Sequence, residues 1–201
     1  MVGILVDYRR MHITKSEWAG LLQSLSDFTG QQIAELHTAD FYSGNGVWRG
    51  MDGPQRSRII SLIFEWISER KHRIVYTSVN KELYFKSRAS DEMPKEINTI
   101  WKYLGFHLVL AIQRYSQPEK GNKGHTVLTF DNEEREEKRF IQLIKTPPEW
   151  SDEYYAKEKN RSQIDQIVDV PHFGDSKDFP LIPMADFPAF FFVATLKYKK
   201  V

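Results

Sequence analysis

Two aspartates with the chemistry to bind a metal ion lie within or at the end of apolar stretches of the sequence. Asp131 ends the run VLTFD, and Asp186 lies inside PMADFPAFF. An ionised carboxylate among Phe and Leu side chains is costly unless a cation or hydrogen-bond donors compensate for the lost water. A divalent ion shared with other carboxylates would do so, because hard ions such as Mg²⁺ prefer oxygen ligands.

Each acidic position also has a structural interpretation. Asp131 suits the N-cap of a helix that begins near Glu133. Asp175 and Ser176 come before a proline and suit a turn in which the side chain bonds to nearby backbone. Asp186 suits the first turn of a final helix, where backbone amides lack partners.

A second polar cluster is the segment ELHTADF, with Glu35, His37 and Asp40. Histidine at this position suits proton transfer or metal binding. The simpler interpretation, which we favour from this pattern alone, is a half-buried histidine that makes one hydrogen bond. The sequence contains no zinc-type histidine spacing, Gly-rich phosphate loop, nucleophile elbow or dinucleotide fingerprint.

The elements that would position these residues alternate between strands and helices, which predicts a mixed α/β fold. Apolar runs predict strands over residues 2–6, 73–79, 125–131 and 164–173. Helical spacing and end signals predict helices over 14–30, 53–72, 93–116, 132–145 and 184–200. The last helix should pack against the sheet or a partner, because Phe187, Phe190, Phe191 and Val193 are too apolar to face water on all sides. A capping box from Thr14 to Glu17 would open the first helix. We predict loops over 34–50 and 146–162, the second with room for a turn of helix, and a turn over 121–124.

The composition suits one globular domain over residues 1–201. The chain is 41% hydrophobic and 13% aromatic, and its formal net charge is +1. It has no cysteine, which excludes disulfides, thiolate metal sites and cysteine catalysis. The opening MVGILVDYRR lacks a signal-peptide pattern and no apolar run is long enough to cross a bilayer, so we expect a cytoplasmic protein without membrane contact.

The near-neutral charge means that nucleic-acid binding would need a local basic patch. Several segments carry clustered Lys and Arg, and the aromatic residues Trp48, Tyr84 and Phe85 near some of them can stack on bases. Such charge runs more often form an ordinary solvated surface.

Six segments occur in a fixed order along the sequence. They are ELHTADFYSGNGVW, the helix with Arg56 and Arg58, VYTSVNK, VLTFD, FGDSKDFPLI and PMADFPAFF. In this order they resemble the bacterial and phage family called domain of unknown function 3800. The resemblance covers about residues 1–198. It implies a ribonuclease-H-like mixed sheet flanked by helices, and a metal-dependent nuclease that acts on RNA or DNA.

The resemblance also assigns roles to individual residues. Asp131, Asp175 and Asp186 match the family's Mg²⁺ or Mn²⁺ ligands, so we predict that they converge. Glu35 and His37 match a Glu-x-His segment of the family. If the protein is a nuclease, Lys81 would contact the phosphate or the transition state, and His37 would carry a proton.

The sequence departs from the family pattern at its start and before Asp186. The family's first strand carries Asp-Glu-Ser-Gly, whereas residues 2–6 match its second strand and Asp7 is a poor substitute for the first aspartate. Pro183 and Met184 stand where Gln-Leu is usual. We therefore expect weak activity.

Three hypotheses follow from the absent first strand. The protein is a nuclease, or it is a relative that lost catalysis and serves as a binding or scaffold subunit. In the third, the sequence begins downstream of the natural start. An exposed sheet edge at residues 2–6 would favour a homodimer or a protein partner.

Overall fold

The computed structural model describes residues 1–117, 126–157, 159 and 161–198. These residues form a mixed α/β chain, as the sequence predicted. The strands are β1 (Val2–Leu5), β2 (Arg73–Tyr76), β3 (Thr129–Asp131) and β4 (His172–Gly174). The α-helices are α1 (Met11–Thr29), α2 (Thr38–Ser43), α3 (Gly53–Glu69), α4 (Lys81–Ala89), α5 (Ile100–Ser116), α6 (Glu137–Lys145), α7 (Trp150–Tyr154) and α8 (Ile182–Tyr198). Short 3₁₀ turns span Tyr8–Arg10, Gly46–Trp48 and Lys95–Ile97.

The strands form two small sheets in the part of the chain that the structure describes. β1 pairs with β2, and β3 pairs with β4 in parallel. Backbone contacts divide the chain into two compact units. We call Met1 together with Val75–Asp175 the central unit, and Val2–Ile74 together with Ser176–Val201 the terminal unit. The expectation of one domain over residues 1–201 stays a prediction.

Local signals explain where α3 begins and where α1 ends. Asp52 caps α3 through a reciprocal capping box with Gln55, and a proline occupies its first turn. Gly30 ends α1 in the left-handed conformation, with φ of 66°, which glycine adopts without a steric penalty.

The predicted capping box at Thr14 is wrong. α1 begins three residues earlier, and the Thr14 hydroxyl donates to the Arg10 carbonyl inside the helix, at 3.3 Å. Glu17 instead accepts a hydrogen bond from Trp66 Nε1 at 2.8 Å and pairs with Arg70. A tertiary ion pair thus replaces the local contact that the sequence pattern suggested.

The predicted loop over 34–50 and the predicted strand over 164–173 also need correction. α2 lies inside the first predicted loop, α7 is the turn of helix that the second one allowed, and α4 follows β2. Ile164 and Asp169 have positive φ of 48° and 56°, which is incompatible with a continuous strand, so only the end of that segment becomes β4. The turn predicted at 121–124 lies outside the described residues.

The core of the terminal unit confirms that the final helix packs against other elements. Phe187 of α8 is fully buried, and its ring lies 5.3 Å from that of Phe64 in α3. Phe190 and Phe191 contact the Tyr42 ring, at 5.2 and 5.9 Å. The side chain of Val193, which we included in this prediction, lies outside the described part of the chain.

Each unit contains one buried or half-buried histidine whose pKa is lowered by burial. In the terminal unit His72 lies 3.4 Å from the Thr14 hydroxyl and edge-on to Trp66; the nearby Arg70 charge lowers its pKa further. In the central unit His107 stacks on Tyr103. Its Nδ1 donates to the Tyr103 carbonyl at 2.8 Å, which opposes the larger effect of burial on its pKa.

We expect acid to destabilise the protein through these two histidines. Because both pKa values are lower in the folded state, the unfolded chain binds more protons as pH falls below about 6.5. Stability should therefore be full above that pH and fall by up to about 1.4 kcal/mol per pH unit for each histidine. Urea unfolding between pH 8 and 5 measures this slope. His72→Gln and His107→Gln should each reduce it, whereas His12→Gln, at an exposed position, should leave it unchanged; an equal slope in all four proteins would contradict the assignment.

Candidate functional site

Two of the predicted acidic residues lie at the same edge of a parallel strand pair. The β3–β4 register pairs Asp131 with Gly174, and Asp175 follows directly. The Asn132 amide donates to the Gly174 carbonyl at 3.2 Å, which extends the ladder by one bond. Asp131 is exposed and Asp175 is partly exposed. The carboxyl ends of parallel strands meet at one edge, which is where α/β proteins commonly bind ligands.

The N-cap interpretation of Asp131 is wrong. α6 begins at Glu137 and its N-cap position is Glu136, five residues after Asp131. The Asp131 carboxylate instead accepts the amide hydrogen of Asn132, at 2.9 Å. Asp131 therefore bonds to its own neighbour at the end of β3 and does not cap α6.

Aromatic packing holds the two strand ends together. The Phe130 and Phe173 rings, one on each strand, stack with centroids 5.6 Å apart. Trp101, at the start of α5, lies 5.7 Å from Phe130 and 6.0 Å from Phe173. The buried ring of Phe140 completes the cluster, 5.3 Å from Phe130. The backbone that presents Asp131 and Asp175 is therefore fixed by side chains on both strands and on two helices.

A second polar group in the terminal unit joins residues from distant parts of the sequence. Ser176 Oγ donates to Glu35 Oε2 at 3.3 Å, and His37 Nε2 lies 3.9 Å from the same oxygen. The Glu35 side chain is 25% exposed and that of His37 is 68% exposed. The interpretation of His37 as a half-buried histidine is therefore wrong. Glu35 Oε2 is therefore the atom that both Ser176 and His37 approach.

Asp186 does not have the environment that its sequence suggested. It is exposed, although its neighbours Met184 and Phe187 are buried. α8 begins at Ile182, so Asp186 also lies beyond the first turn in which we predicted it. Its carboxylate therefore carries no large burial cost.

The predicted site residues are divided between the two units. Asp131, Asp175 and Lys81 belong to the central unit, whereas Glu35, His37 and Asp186 belong to the terminal unit. Lys81 is exposed at the start of α4. Convergence of the three aspartates stays a prediction.

The described residues do not include a complete protein-built metal cage. No group of three or more His, Asp or Glu side chains among them is arranged to hold a metal ion. The Asp131 and Asp175 edge offers two carboxylates. Mg²⁺ commonly binds to one or two carboxylates and completes its octahedron with waters and substrate phosphates, so this pair has the donor chemistry for such an ion.

One polar cluster of the central unit was missed by the sequence interpretation. Lys102 is only 5% exposed and donates to Asn98 Oδ1 at 2.6 Å; burial lowers its pKa, against the opposing effect of nearby Glu136. Glu136 Oε2 is buried and has no hydrogen-bond partner in the described structure. The only sequence signal was a lysine between Trp101 and Tyr103 in an apolar helix, which does not reveal tertiary contacts.

No family model, curated protein or solved structure matches this chain. The resemblance to domain of unknown function 3800 therefore rests on the motifs quoted above. Within the described residues, none of the helices combines the length and the apolar character that a bilayer span requires.

Proposed function

We propose that the protein is a divalent-metal-dependent phosphodiesterase that acts on RNA or DNA and resembles nucleases of the ribonuclease-H-like fold. The observation that carries the proposal is the β3–β4 register, which brings Asp131 and Asp175 to one strand edge. Two carboxylates at a strand edge are the minimal protein contribution to a Mg²⁺ site that also uses water and substrate phosphate oxygens.

The remaining residues have roles that match phosphodiester cleavage. A bound Mg²⁺ or Mn²⁺ would polarise the phosphate and lower the pKa of a bound water. Lys81, in the same unit as the two aspartates, would contribute positive charge to the phosphate oxygens. The roles of Asp186 as a third ligand and of His37 as a proton carrier stay predictions of the family resemblance.

Weak activity is part of the proposal. Asp7, the nearest substitute for the family's first aspartate, caps the 3₁₀ turn Tyr8–Arg10 and accepts the Arg9 amide hydrogen at 3.0 Å. This capping role is a structural explanation for an aspartate at position 7. A site without the bridging carboxylate would hold metal ions less tightly and cleave more slowly.

The second candidate function is a binding or scaffold subunit. Its support is β1, which has one strand neighbour, β2, in the part of the chain that the structure describes. A strand with one neighbour presents backbone donors and acceptors at its other edge, where a strand of a second copy or of another protein can add.

A nuclease assay with aspartate variants distinguishes the two functions. We expect slow cleavage of RNA or DNA in Mg²⁺ or Mn²⁺, reduced at least about tenfold in Asp131→Asn and Asp175→Asn, a loss that corresponds to about 1.4 kcal/mol of transition-state stabilisation. Asp186→Asn tests the third ligand. Asp169→Asn, at another exposed aspartate of the central unit, is the matched control.

Two outcomes would contradict the nuclease proposal. Cleavage that is equal in all variants would assign the activity elsewhere. The scaffold function would be favoured if no RNA or DNA were cleaved with either metal ion and light scattering showed a stable dimer or a complex with another protein.

A further inference from the structure

One face of α4 combines an exposed aromatic ring with two exposed cations. Lys81, Phe85 and Arg88 are spaced i, i+4 and i+7, so they lie along the same side of the helix. All three are exposed, and the Phe85 side chain is among the most exposed large apolar ones, at 52%. The Phe85 ring packs edge-on against the neighbouring Tyr84 ring, with centroids 5.4 Å apart, and it is still about half exposed to water beside the two cations.

Tyr84, which borders this face, anchors α4 and so fixes the orientation of the face. Tyr84 is 3% exposed, and its hydroxyl donates to the Ile97 carbonyl at 3.3 Å. Its ring packs edge-on against Tyr103 of α5, with centroids 5.5 Å apart. Asn80 caps the helix by accepting the Leu83 amide hydrogen at 3.1 Å. Phe85 therefore points outward from a helix held by its own cap and by a buried neighbour.

We infer that this face binds single-stranded nucleic acid, with a base stacked on Phe85 and phosphates beside Lys81 and Arg88. The inference rests on the proposed function and deepens it, because it extends the Lys81 phosphate contact and names the substrate as single-stranded. Unpaired bases expose a flat surface for stacking on an aromatic ring, whereas the bases of a duplex are already stacked on each other. Consecutive phosphates along the strand match cations on either side of the ring.

The charge of α4 favours an anionic polymer. The helix carries three cations, Lys81, Lys86 and Arg88, against one acid, Glu82. A lipid surface would instead be contacted by several apolar side chains on one face. Here the other exposed apolar residue of the helix, Leu83, does not share the face of Phe85.

The test is equilibrium binding of short fluorescent oligonucleotides, measured by anisotropy in EDTA so that cleavage does not interfere. We expect single-stranded RNA or DNA to bind more tightly than a duplex of the same sequence. Phe85→Ala should weaken single-strand binding about tenfold, within the range that removal of a stacking residue produces. Lys81→Gln and Arg88→Gln should each weaken it and reduce the salt dependence by roughly one phosphate contact.

The same helix supplies the matched controls. Lys86→Gln removes an exposed cation and Leu83→Ala an exposed apolar side chain, and both lie off the proposed face. We expect both variants to bind as the wild type does, and circular dichroism should show that all variants fold. Equal loss in the control and face variants, or tighter binding to the duplex, would overturn the inference.

The remaining outcomes separate this inference from the proposed function. Cleavage that depends on Asp131, with single-strand binding unaffected by Phe85→Ala, would retain the nuclease and reject the α4 surface. Binding that depends on Phe85 without any cleavage would retain the surface and reject the nuclease. Binding to anionic phosphatidylserine vesicles instead of oligonucleotides would overturn the inference in favour of a membrane contact.

Discussion

Replacing Phe187 with alanine is expected to lower the free energy of unfolding by about 3–5 kcal/mol, the usual cost of removing a buried aromatic side chain. Phe187 has no solvent exposure and packs with Phe64 and Phe191, at ring distances of 5.3 and 5.2 Å. Removal of its ring would leave a cavity among side chains of α3 and α8. A loss of this size is a large fraction of the stability of an ordinary domain.

Urea unfolding followed by circular dichroism measures the effect of Phe187→Ala. Phe179→Ala is the matched control, because Phe179 is the same residue type, lies shortly before α8 and is 41% exposed. We expect the control to change stability by less than about 1 kcal/mol. Similar losses in the two variants would show that the packing of α8 does not stabilise the fold as described.

The final helix shows what its sequence does and does not reveal. The run of aromatic residues correctly predicted that α8 packs against other elements. It wrongly placed Asp186 in an apolar environment, because a helix turns about 100° per residue and buried Met184 and Phe187 leave Asp186 on the outer side. Residues adjacent in the sequence point to different sides of a helix, so apolar sequence neighbours do not give a side chain an apolar environment.

Local end signals predicted some elements well and missed others. Pro54 and the apolar stripe located α3, and Gly30 located the end of α1. No element was predicted between residues 79 and 93, so α4 and its cap at Asn80 were missed. The predicted strand over 164–173 is interrupted because Ile164 and Asp169 have positive φ. The apolar pattern of the sequence does not indicate these backbone conformations.

The candidate site was partly predictable for a similar reason. An aspartate that ends an apolar strand is a recognisable signal, and the parallel register accounts for its proximity to Asp175. The contact of Glu35 with Ser176 links positions 141 residues apart, and the burial of Lys102 depends on tertiary packing. Neither can be derived from local periodicity.

Phe140→Ala is expected to have the second of the two largest effects, again about 3–5 kcal/mol of unfolding free energy. The Phe140 ring is fully buried, 5.0 Å from Trp101. It packs so closely on α5 that a Cβ atom at Gly105 would lie 3.1 Å from it. Glycine at position 105 lets the Phe140 ring lie against the backbone of α5. Local movement would therefore not readily fill the cavity that Phe140→Ala leaves.

The loss of stability in Phe140→Ala should be accompanied by more frequent local opening of the strand edge that carries Asp131 and Asp175. Phe140 contacts Phe130 and Phe173, the residues that stack across β3 and β4. Amide hydrogen exchange at residues 129–132 and 172–174 should therefore become faster in Phe140→Ala than the change in global stability alone explains. Phe85→Ala is the control, because Phe85 belongs to the same unit and is 52% exposed. Unchanged exchange at the strand edge, despite the lower stability, would mean that β3 and β4 hold their register without the aromatic cluster.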